Sequence, residues 1–218
     1  MVTSKVISLG GSLIVPDEID VKFLKKFKKI IDGLDYKFDI ICGGGKTARK
    51  YIKAASNFTD KTDYVGISST LLNAELVKWM FDEKDVYKDV LRKPQRTRKK
   101  ITIYGGDVPN HSSDYDAVVV ANFYKDSEVI NLTNVDYVYD KNPHKYKTAK
   151  PFEKMTWTEF LKLTGDKWTP GLSLPFDPVG AKFAKKHNIR VVILNGNDLN
   201  NLKNYLSGKK FKGTVIKN

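Results

Sequence analysis

The sequence predicts an α/β fold: a three-layer αβα sandwich with a central, mainly parallel sheet covered by helices on both faces. Two observations support this prediction. Apolar, β-branched runs alternate with segments of helical periodicity along the whole chain, which is the pattern of strands joined by crossover helices. Glycine clusters follow three of these runs directly, as they do where a strand turns sharply into a helix.

The strands are predicted where short runs rich in Val, Ile, Leu and Phe are bounded by polar or turn residues. In chain order they cover residues 5–9, 38–42, 100–104, 128–131 and 189–194. Turn residues in the stretch 133–143 predict a hairpin and a binding loop after the fourth strand.

Seven helices are predicted from apolar spacing, and several of them open with a residue whose side chain can cap the first turn. In chain order they cover residues 20–33, 46–56, 63–81, 114–123, 156–163, 177–187 and 198–206. The predicted caps are Asp20, Asp63, Thr156 and Asp198. Because no repeat or long linker interrupts the pattern, residues 1–218 are expected to form a single domain made of two lobes that meet near residue 125.

Composition is that of an ordinary globular protein, with 41% apolar and 29% charged residues in 218. No apolar stretch reaches the roughly 18–20 residues that a membrane span needs, and no signal-peptide pattern is visible near residue 1. The single cysteine, Cys42, excludes an intramolecular disulfide framework and favours a reducing cytoplasm. One cysteine and three scattered histidines do not make a structural zinc site, so no protein-held metal is expected.

The net charge of +13 is compatible with nucleic-acid binding, with attraction to small polyanions, or with a lysine-rich solvated surface. The densest basic run, residues 92–100, lacks the interleaved aromatic residues on which single-stranded nucleic acids stack. A solvated surface is therefore the favoured interpretation. Nucleic acid stays an open but less favoured partner.

Two of the glycine clusters predict phosphate sites. Gly10-Gly11-Ser12 and Gly43-Gly44-Gly45 each follow a strand, and the second leads into a helix, so bare N–H groups and a positive helix end point to one place. Lys46 and Arg49 lie three residues apart on the first turn of that helix, where both can reach an anion. Two such loops predict two phosphoryl groups held together, as a phosphotransferase requires. The alternatives are plain tight turns and, for Arg49, an ordinary surface cation.

The third cluster, Gly105-Gly106, leads into a loop dense in short hydrogen-bonding side chains, residues 107–113. Ser112 and Ser113 stand at a helix start, so one of their two hydroxyls can be explained as a cap. The rest of the loop is a candidate binding segment.

In order, the chain reads Gly-Gly-Ser at 10–12, Gly-Gly-Gly-Lys-Thr-Ala-Arg-Lys-Tyr-Ile at 43–52, Gly-Gly-Asp-Val-Pro-Asn-His-Ser-Ser-Asp at 105–114, Thr-Asn-Val-Asp-Tyr-Val-Tyr-Asp-Lys-Asn-Pro at 133–143 and Asp-Pro-Val-Gly-Ala-Lys at 177–182. This series resembles the amino acid kinase superfamily over essentially the whole chain, and within it the archaeal type of uridylate kinase. The resemblance implies an amino acid (carbamate) kinase-like fold with an acceptor (UMP) lobe at 1–125 and an ATP lobe at 126–218. It also implies transfer of a phosphoryl group from ATP to UMP, with Mg²⁺ carried by the nucleotide.

The resemblance further implies which residues contact each substrate. The implied UMP-binding residues are Gly44, Asp63, Asp107, Val108, Pro109, Asn110, His111, Ser112 and Ser113. The implied ATP-binding residues are Gly10, Gly11, Ser12, Gly45, Arg49, Thr133, Asn134, Tyr139 and Asn142. The candidate catalytic residues are Arg49, Lys46 and Lys182, which would stabilise charge on the transferring group; for Lys182 the alternative is an exposed lysine on a basic helix.

The chain departs from the family pattern at several places. Ser8 stands where many relatives have a lysine, and Asn142 where the pattern usually has aspartate. Tyr137 replaces a usual glycine, and the 111–113 loop carries His-Ser-Ser where threonines are common. These departures, together with the net charge, keep two alternatives open. One is a kinase of the same fold with a carboxylate, carbamate or alcohol phosphate acceptor, and the other is a non-catalytic nucleotide sensor or RNA-associated protein.

Assembly is predicted from the helix at residues 63–81. Its apolar residues exceed what one stripe against its own sheet requires: Val65, Leu72, Leu76, Trp79 and Met80. Because uridylate kinases of this type pair through the corresponding helix, the resemblance implies a homo-oligomer, a dimer at least and a hexamer as a trimer of dimers. The alternative is that the helix is simply core.

Overall fold

The computed structural model describes residues 4–125, 128–143, 145–165 and 174–218. Its strands are β1 (Ser4–Leu9), β2 (Lys37–Cys42), β3 (Ile101–Tyr104), β4 (Val129–Thr133), β5 (Val138–Tyr139), β6 (Pro151–Phe152), β7 (Lys154–Met155), β8 (Val191–Asn195) and β9 (Thr214–Ile216). Seven of them form one sheet in the order β3-β2-β1-β4-β8-β9-β7, in which β9 runs antiparallel to β8 and every other pair is parallel. Strands β5 and β6 pair separately as an antiparallel ribbon.

Helices cover both faces of this sheet, which confirms the predicted three-layer α/β architecture. They are α1 (Gly11–Ile14), α2 (Val21–Asp32), α3 (Gly45–Ala55), α4 (Thr62–Trp79), α5 (Ser113–Tyr124), α6 (Trp157–Thr164), α7 (Pro178–Lys186) and α8 (Leu199–Leu206). Apolar residues of α2, α4 and α8 pack on one face of the sheet, and those of α5, α6 and α7 pack on the other. Helix α3 buries none of its residues fully and packs against α4.

The five predicted strands and seven predicted helices are all present, with ends shifted by a few residues. Asp20, Thr156 and Asp198 cap their helices as predicted, each accepting a hydrogen bond from the third residue beyond it. The capping role predicted for Asp63 is wrong. Helix α4 begins before this residue, with Lys61 at the N-cap, because the Asp63 carboxylate is engaged elsewhere: it accepts a hydrogen bond from the Asn110 amide at 2.8 Å.

The sheet topology brings the candidate site residues to the carboxyl-terminal end of the parallel strands. Strands β3, β2, β1, β4 and β8 all end on this side of the sheet, so the loops that follow them meet there. From β1 the strand order runs outward through β2 to β3 on one side, whereas β4 and then β8 lie on the other side of β1. The crevice at such a reversal of strand order is the usual ligand site of an α/β sheet. In the described parts of the chain, no helix is both long and apolar enough to cross a membrane.

Candidate active site

The first two glycine loops are in direct backbone contact, as the sequence predicted. A Cβ atom on Gly11 would lie 2.1 Å from the amide nitrogen of Gly45 and 2.5 Å from the carbonyl carbon of Gly43. Gly45 has a φ of +63°, a left-handed conformation that glycine adopts without strain. The Gly10 amide donates to the Leu132 carbonyl on β4 at 3.1 Å, so this junction lies at the reversal of strand order.

The start of α3 lies beside this junction. Gly44 is the N-cap of α3 and provides no side-chain cap, and among the first amides of the helix that of Lys46 donates to the Val15 carbonyl at 3.0 Å. One turn further on, the side chain of Arg49 is exposed and lies along the groove between α3 and α4. A helix N-terminus with a nearby guanidinium is suited to hold a phosphate.

The other two candidate cations lie differently. The ammonium of Lys46 is 3.1 Å from an Asp17 carboxylate oxygen, and both side chains are well exposed to solvent. This contact lowers the pKa of Asp17 through the hydrogen bond and the charge of Lys46. Lys182 is exposed on α7, a helix whose buried residues include Gly180 and Ala181. The catalytic roles of Lys46 and Lys182 therefore stay predictions.

A groove of about 240 Å³, here called the α3–α4 groove, lies between these two helices and the β3–α5 loop (residues 105–112). Its walls contain seven of the nine implied acceptor residues: Gly44, Asp63, Val108, Pro109, His111, Ser112 and Ser113. Asp107 and Asn110 belong to the same loop but do not line the groove. Because Arg49 lines it as well, the implied acceptor residues and the candidate phosphate-binding cation face one cavity.

Residues that are distant in sequence hold the β3–α5 loop in shape. The Gly106 amide donates to Thr70 Oγ1 at 2.7 Å, and the Asn110 amide donates to Asp63 Oδ2 at 2.8 Å. Asn110 has a φ of 74°, so the chain turns sharply at this point. The Ser112 amide donates to Asp177 Oδ2 at 2.8 Å, which ties the loop to the start of α7. Ser112 also caps α5 by accepting from the Asp114 amide, as the capping interpretation predicted.

A pair of carboxylates behind this loop was missed as a functional feature by the sequence reasoning. Ser8 Oγ donates to Asp114 Oδ1 at 2.8 Å, and the Asp177 amide donates to Asp114 Oδ2 at 3.2 Å. Burial raises the pKa of Asp114 to about 7; the hydrogen bond from Ser8 lowers it, and the charge of Asp177 raises it. The sequence held one signal for this pair: each aspartate stands at the start of a predicted helix next to a glycine-containing motif.

We expect Asp114 to make folding stability depend on pH. Because its pKa is about 7 in the folded protein and near 3.8 when unfolded, the folded state binds the proton more tightly. The stabilisation is complete below about pH 4 and is lost as the pH rises toward 7. Urea denaturation of the wild type and the Asp114→Asn variant at pH 5 and pH 8 checks this. The variant should gain stability relative to the wild type at pH 8, whereas an equal difference at both pH values would contradict the expectation.

A second cavity, of about 250 Å³, lies over the carboxyl end of β4 and is here called the β4–β5 cavity. Three implied ATP residues line it: Asn134, Tyr139 and Asn142. Thr133 ends β4 beside the cavity, and its carbonyl accepts from the Gly196 amide at 2.8 Å.

Tyr137, the residue that departs from the family glycine, also lines the β4–β5 cavity and packs edge-to-face on Tyr139 with ring centroids 6.2 Å apart. Sequence reasoning missed Leu163, Leu174 and Pro175, which close the far side. A larger opening of about 850 Å³ beside β7 and β9 contains none of the predicted site residues.

Comparison with known proteins gives consistent matches over nearly the whole chain. The model of the amino acid kinase family matches residues 4–195. A uridylate kinase of Thermococcus onnurineus is 35% identical, with 97% of this chain and 98% of that protein covered. A uridylate kinase of Thermoplasma volcanium is 34% identical, with 98% and 97% covered. Among solved structures, the uridylate kinase from Archaeoglobus fulgidus superposes with a TM-score of 0.81 at 28% identity, covering 97% of this chain and 99% of that one.

Proposed function

The chain belongs to the amino acid kinase family, and we propose that it transfers the γ-phosphoryl group of ATP to UMP, giving UDP and ADP. The observation that carries the proposal is the α3–α4 groove, in which seven implied acceptor residues and Arg49 meet at the joined glycine loops. The proposal is supported by the relatives named uridylate kinase, which match from end to end at about one third identity.

Phosphoryl transfer between two phosphates asks mainly for positioning and positive charge, since the acceptor oxygen is already ionised and needs no catalytic base. We assign the charge to Arg49, with Lys46 and Lys182 as further candidates. The remaining backbone amides of the two glycine loops would hold the phosphates, since those of Gly10 and Gly43 already donate to the Leu132 and Leu9 carbonyls. The β3–α5 loop would hold uracil and the acceptor phosphate, with Asp63 at its base.

We propose that the adenosine of ATP occupies the β4–β5 cavity, where Asn134, Tyr139 and Asn142 would frame it. Mg²⁺ would arrive on the ATP phosphates, as hard magnesium ions often do. The donor set near the loops fits this assignment: oxygens of Asp114 and Asp177 already accept hydrogen bonds, and among the described residues no three acidic, histidine or cysteine side chains converge as ligands.

We place the enzyme in a reducing compartment, the cytoplasm. The ground is cysteine usage: the chain has a single cysteine, Cys42, so it cannot form an intramolecular disulfide, and in the structure this residue is a free, buried thiol on β2.

A coupled assay of ADP release tests the proposal. The purified protein would be given ATP, Mg²⁺ and one acceptor at a time: UMP, CMP, AMP, GMP, carbamate or a small carboxylate. We expect UMP to give the highest kcat/KM and EDTA to abolish the signal. A preference for carbamate or a carboxylate would reassign the acceptor within the same fold, and release of no ADP with any acceptor would favour a nucleotide sensor.

We further propose that the protein is a homo-oligomer that pairs through α4. Tyr64, Leu72 and Trp79 on this helix are 58%, 64% and 67% exposed, more apolar surface than a helix in a monomer usually leaves open. The α4 helix also carries Asp63, so pairing through it would connect assembly to the acceptor groove. The expected assembly is at least a dimer and, by the family resemblance, a hexamer.

Light scattering checks the assembly. The wild type should have a mass of at least twice the 24.7 kDa of one chain at micromolar concentration. The double variant Leu72→Glu, Trp79→Glu should shift toward the monomer because it places charge in the proposed contact. Ile19→Glu, which changes an apolar residue outside α4 that is 52% exposed, is the control for adding charge to the surface. A monomeric wild type would contradict the proposal.

A further inference from the structure

The segment that ends at Leu91 runs beside β3, the strand at one edge of the sheet, and reaches the β3–α5 loop. Its last paired residue, Leu91, lies beside β3: the Leu91 amide donates to the Ile103 carbonyl at 2.9 Å, and the Gly105 amide donates back to the Leu91 carbonyl at 3.0 Å. The backbone of the following residue, Arg92, is thereby held opposite the first residues of the loop. Arg92 is also the first cation of the basic run at 92–100.

The guanidinium of Arg92 binds the loop backbone at two consecutive carbonyls. Its Nε donates to the Gly106 carbonyl at 3.3 Å, and its Nη2 donates to the Asp107 carbonyl. An arginine side chain can make such a pair because its donors form a rigid planar fork. A lysine has a single nitrogen and cannot match both carbonyls in the same geometry.

The loop has open space on both sides at this point. A cavity of about 190 Å³ lies behind it, with walls formed by Arg92, Tyr115 and Val119 among others. Val108, His111 and Asp116 line this rear cavity and also the α3–α4 groove in front. Gly105 and Gly106 are buried against Leu71 and Ile67 of α4. Beyond them the loop has a cavity on each side, so its position there depends on hydrogen bonds to its backbone.

The bonds that hold the loop come from three parts of the fold. Thr70 and Asp63 on α4 hold Gly106 and Asn110, and Asp177 at α7 holds Ser112. Of the residues that the structure describes, Arg92 is the one whose side-chain hydrogen bonds reach the Asp107 backbone. Arg92 is also outside the groove itself, so it would act on a ligand only through the loop.

We propose that Arg92 is a positioning residue that holds the β3–α5 loop in the conformation that binds the acceptor nucleotide. The inference rests on the proposed function for the identity of the acceptor, but the geometry of the contact does not depend on it. Loss of this contact would let the start of the loop move and would weaken acceptor binding, while the ATP side and the transferring charge stay in place.

Steady-state kinetics of Arg92→Ala test the proposal. We expect KM for UMP to rise about tenfold, the size of effect that losing one net charge-assisted hydrogen bond gives, with kcat and KM for ATP changed less than about twofold. Arg98→Ala is the matched control because it removes one charge from the same basic run at an exposed position. Arg92→Lys should show most of the defect, since it keeps the charge but loses the fork.

Hydrogen exchange of the nucleotide-free protein gives a readout that does not require activity. Amides of residues 106–111 should exchange faster in Arg92→Ala than in the wild type or in Arg98→Ala, while β2 and α5 stay unchanged. Equal KM values for UMP in Arg92→Ala and Arg98→Ala, or unchanged exchange in the loop, would overturn the proposal. If the wild type did not phosphorylate UMP, the proposed function would fail, and the exchange experiment would still decide whether Arg92 holds the loop.

Discussion

Replacement of Arg49 by alanine is expected to raise the activation free energy by about 2–4 kcal/mol and so to lower kcat roughly 30- to 900-fold. This is the range seen when a preorganised charge-stabilising donor is removed. The physical reason is the position of the guanidinium. It lies at the start of the second turn of α3 and lines the groove that also contains seven of the implied acceptor residues. A cation there can interact with the transferring phosphoryl group as negative charge spreads over it.

Two matched variants separate this role from general loss of charge. Lys53→Ala removes a cation from the last turn of the same helix, away from the glycine loops, and should change kcat less than about twofold. Arg49→Lys should recover part of the activity because it keeps the charge but not the planar fork. Wild-type turnover by a folded Arg49→Ala protein would instead identify Arg49 as an ordinary surface cation.

Gly11→Ala is expected to have the second large effect. The new methyl carbon would lie 2.1 Å from the Gly45 nitrogen and 2.5 Å from the Gly43 carbonyl carbon. Both are backbone atoms, which cannot move aside as a flexible side chain can, so the two phosphate loops must separate. We expect a loss of about 3 kcal/mol or more in the free energy of unfolding, together with a fall of at least about 100-fold in kcat/KM.

Denaturant titration and kinetics of the same preparations measure both effects. Gly33→Ala is the matched control: Gly33 has a φ of −80°, and its added Cβ would come no closer than 3.3 Å to the Lys29 carbonyl oxygen. Its stability should stay within about 1 kcal/mol of the wild type, with unchanged kinetics. A Gly11→Ala protein as stable and active as Gly33→Ala would show that the close contact of the loops is not needed.

The architecture was predictable because its main elements are long enough to show a period. Strands of four to six residues and helices of eight or more leave a readable pattern. The four-residue helix α1 and the strands β5, β6, β7 and β9, which have two or three residues each, were not predicted. Contact between the glycine loops at Gly11 and Gly45 was also predictable, since the ends of neighbouring parallel strands meet at one edge. These features follow from local sequence and from general rules of sheet topology.

The supporting contacts could not be predicted, because they join residues far apart in the chain. Asp63 was predicted to cap a helix, but its carboxylate accepts a hydrogen bond from the amide of Asn110, 47 residues further along the chain. Asp114 is reached by Ser8 across 106 residues, and no local pattern reports such a pair. Arg92 looked like part of a solvated basic run until the backbone of β3 placed its side chain over the loop. Motifs thus indicated the candidate binding segments, and the fold alone shows what holds them.

Direct transfer of label from ATP to UMP is the measurement that tests the central claim. ATP labelled with ³²P at the γ position would be incubated with the protein, Mg²⁺ and UMP, and the products separated by thin-layer chromatography. We predict that the label appears in UDP in step with ADP formation, and that Arg49→Ala slows both equally. Label released as inorganic phosphate, or label left in ATP under conditions where the protein is folded and binds UMP, would contradict the assignment of this fold and groove to UMP phosphorylation.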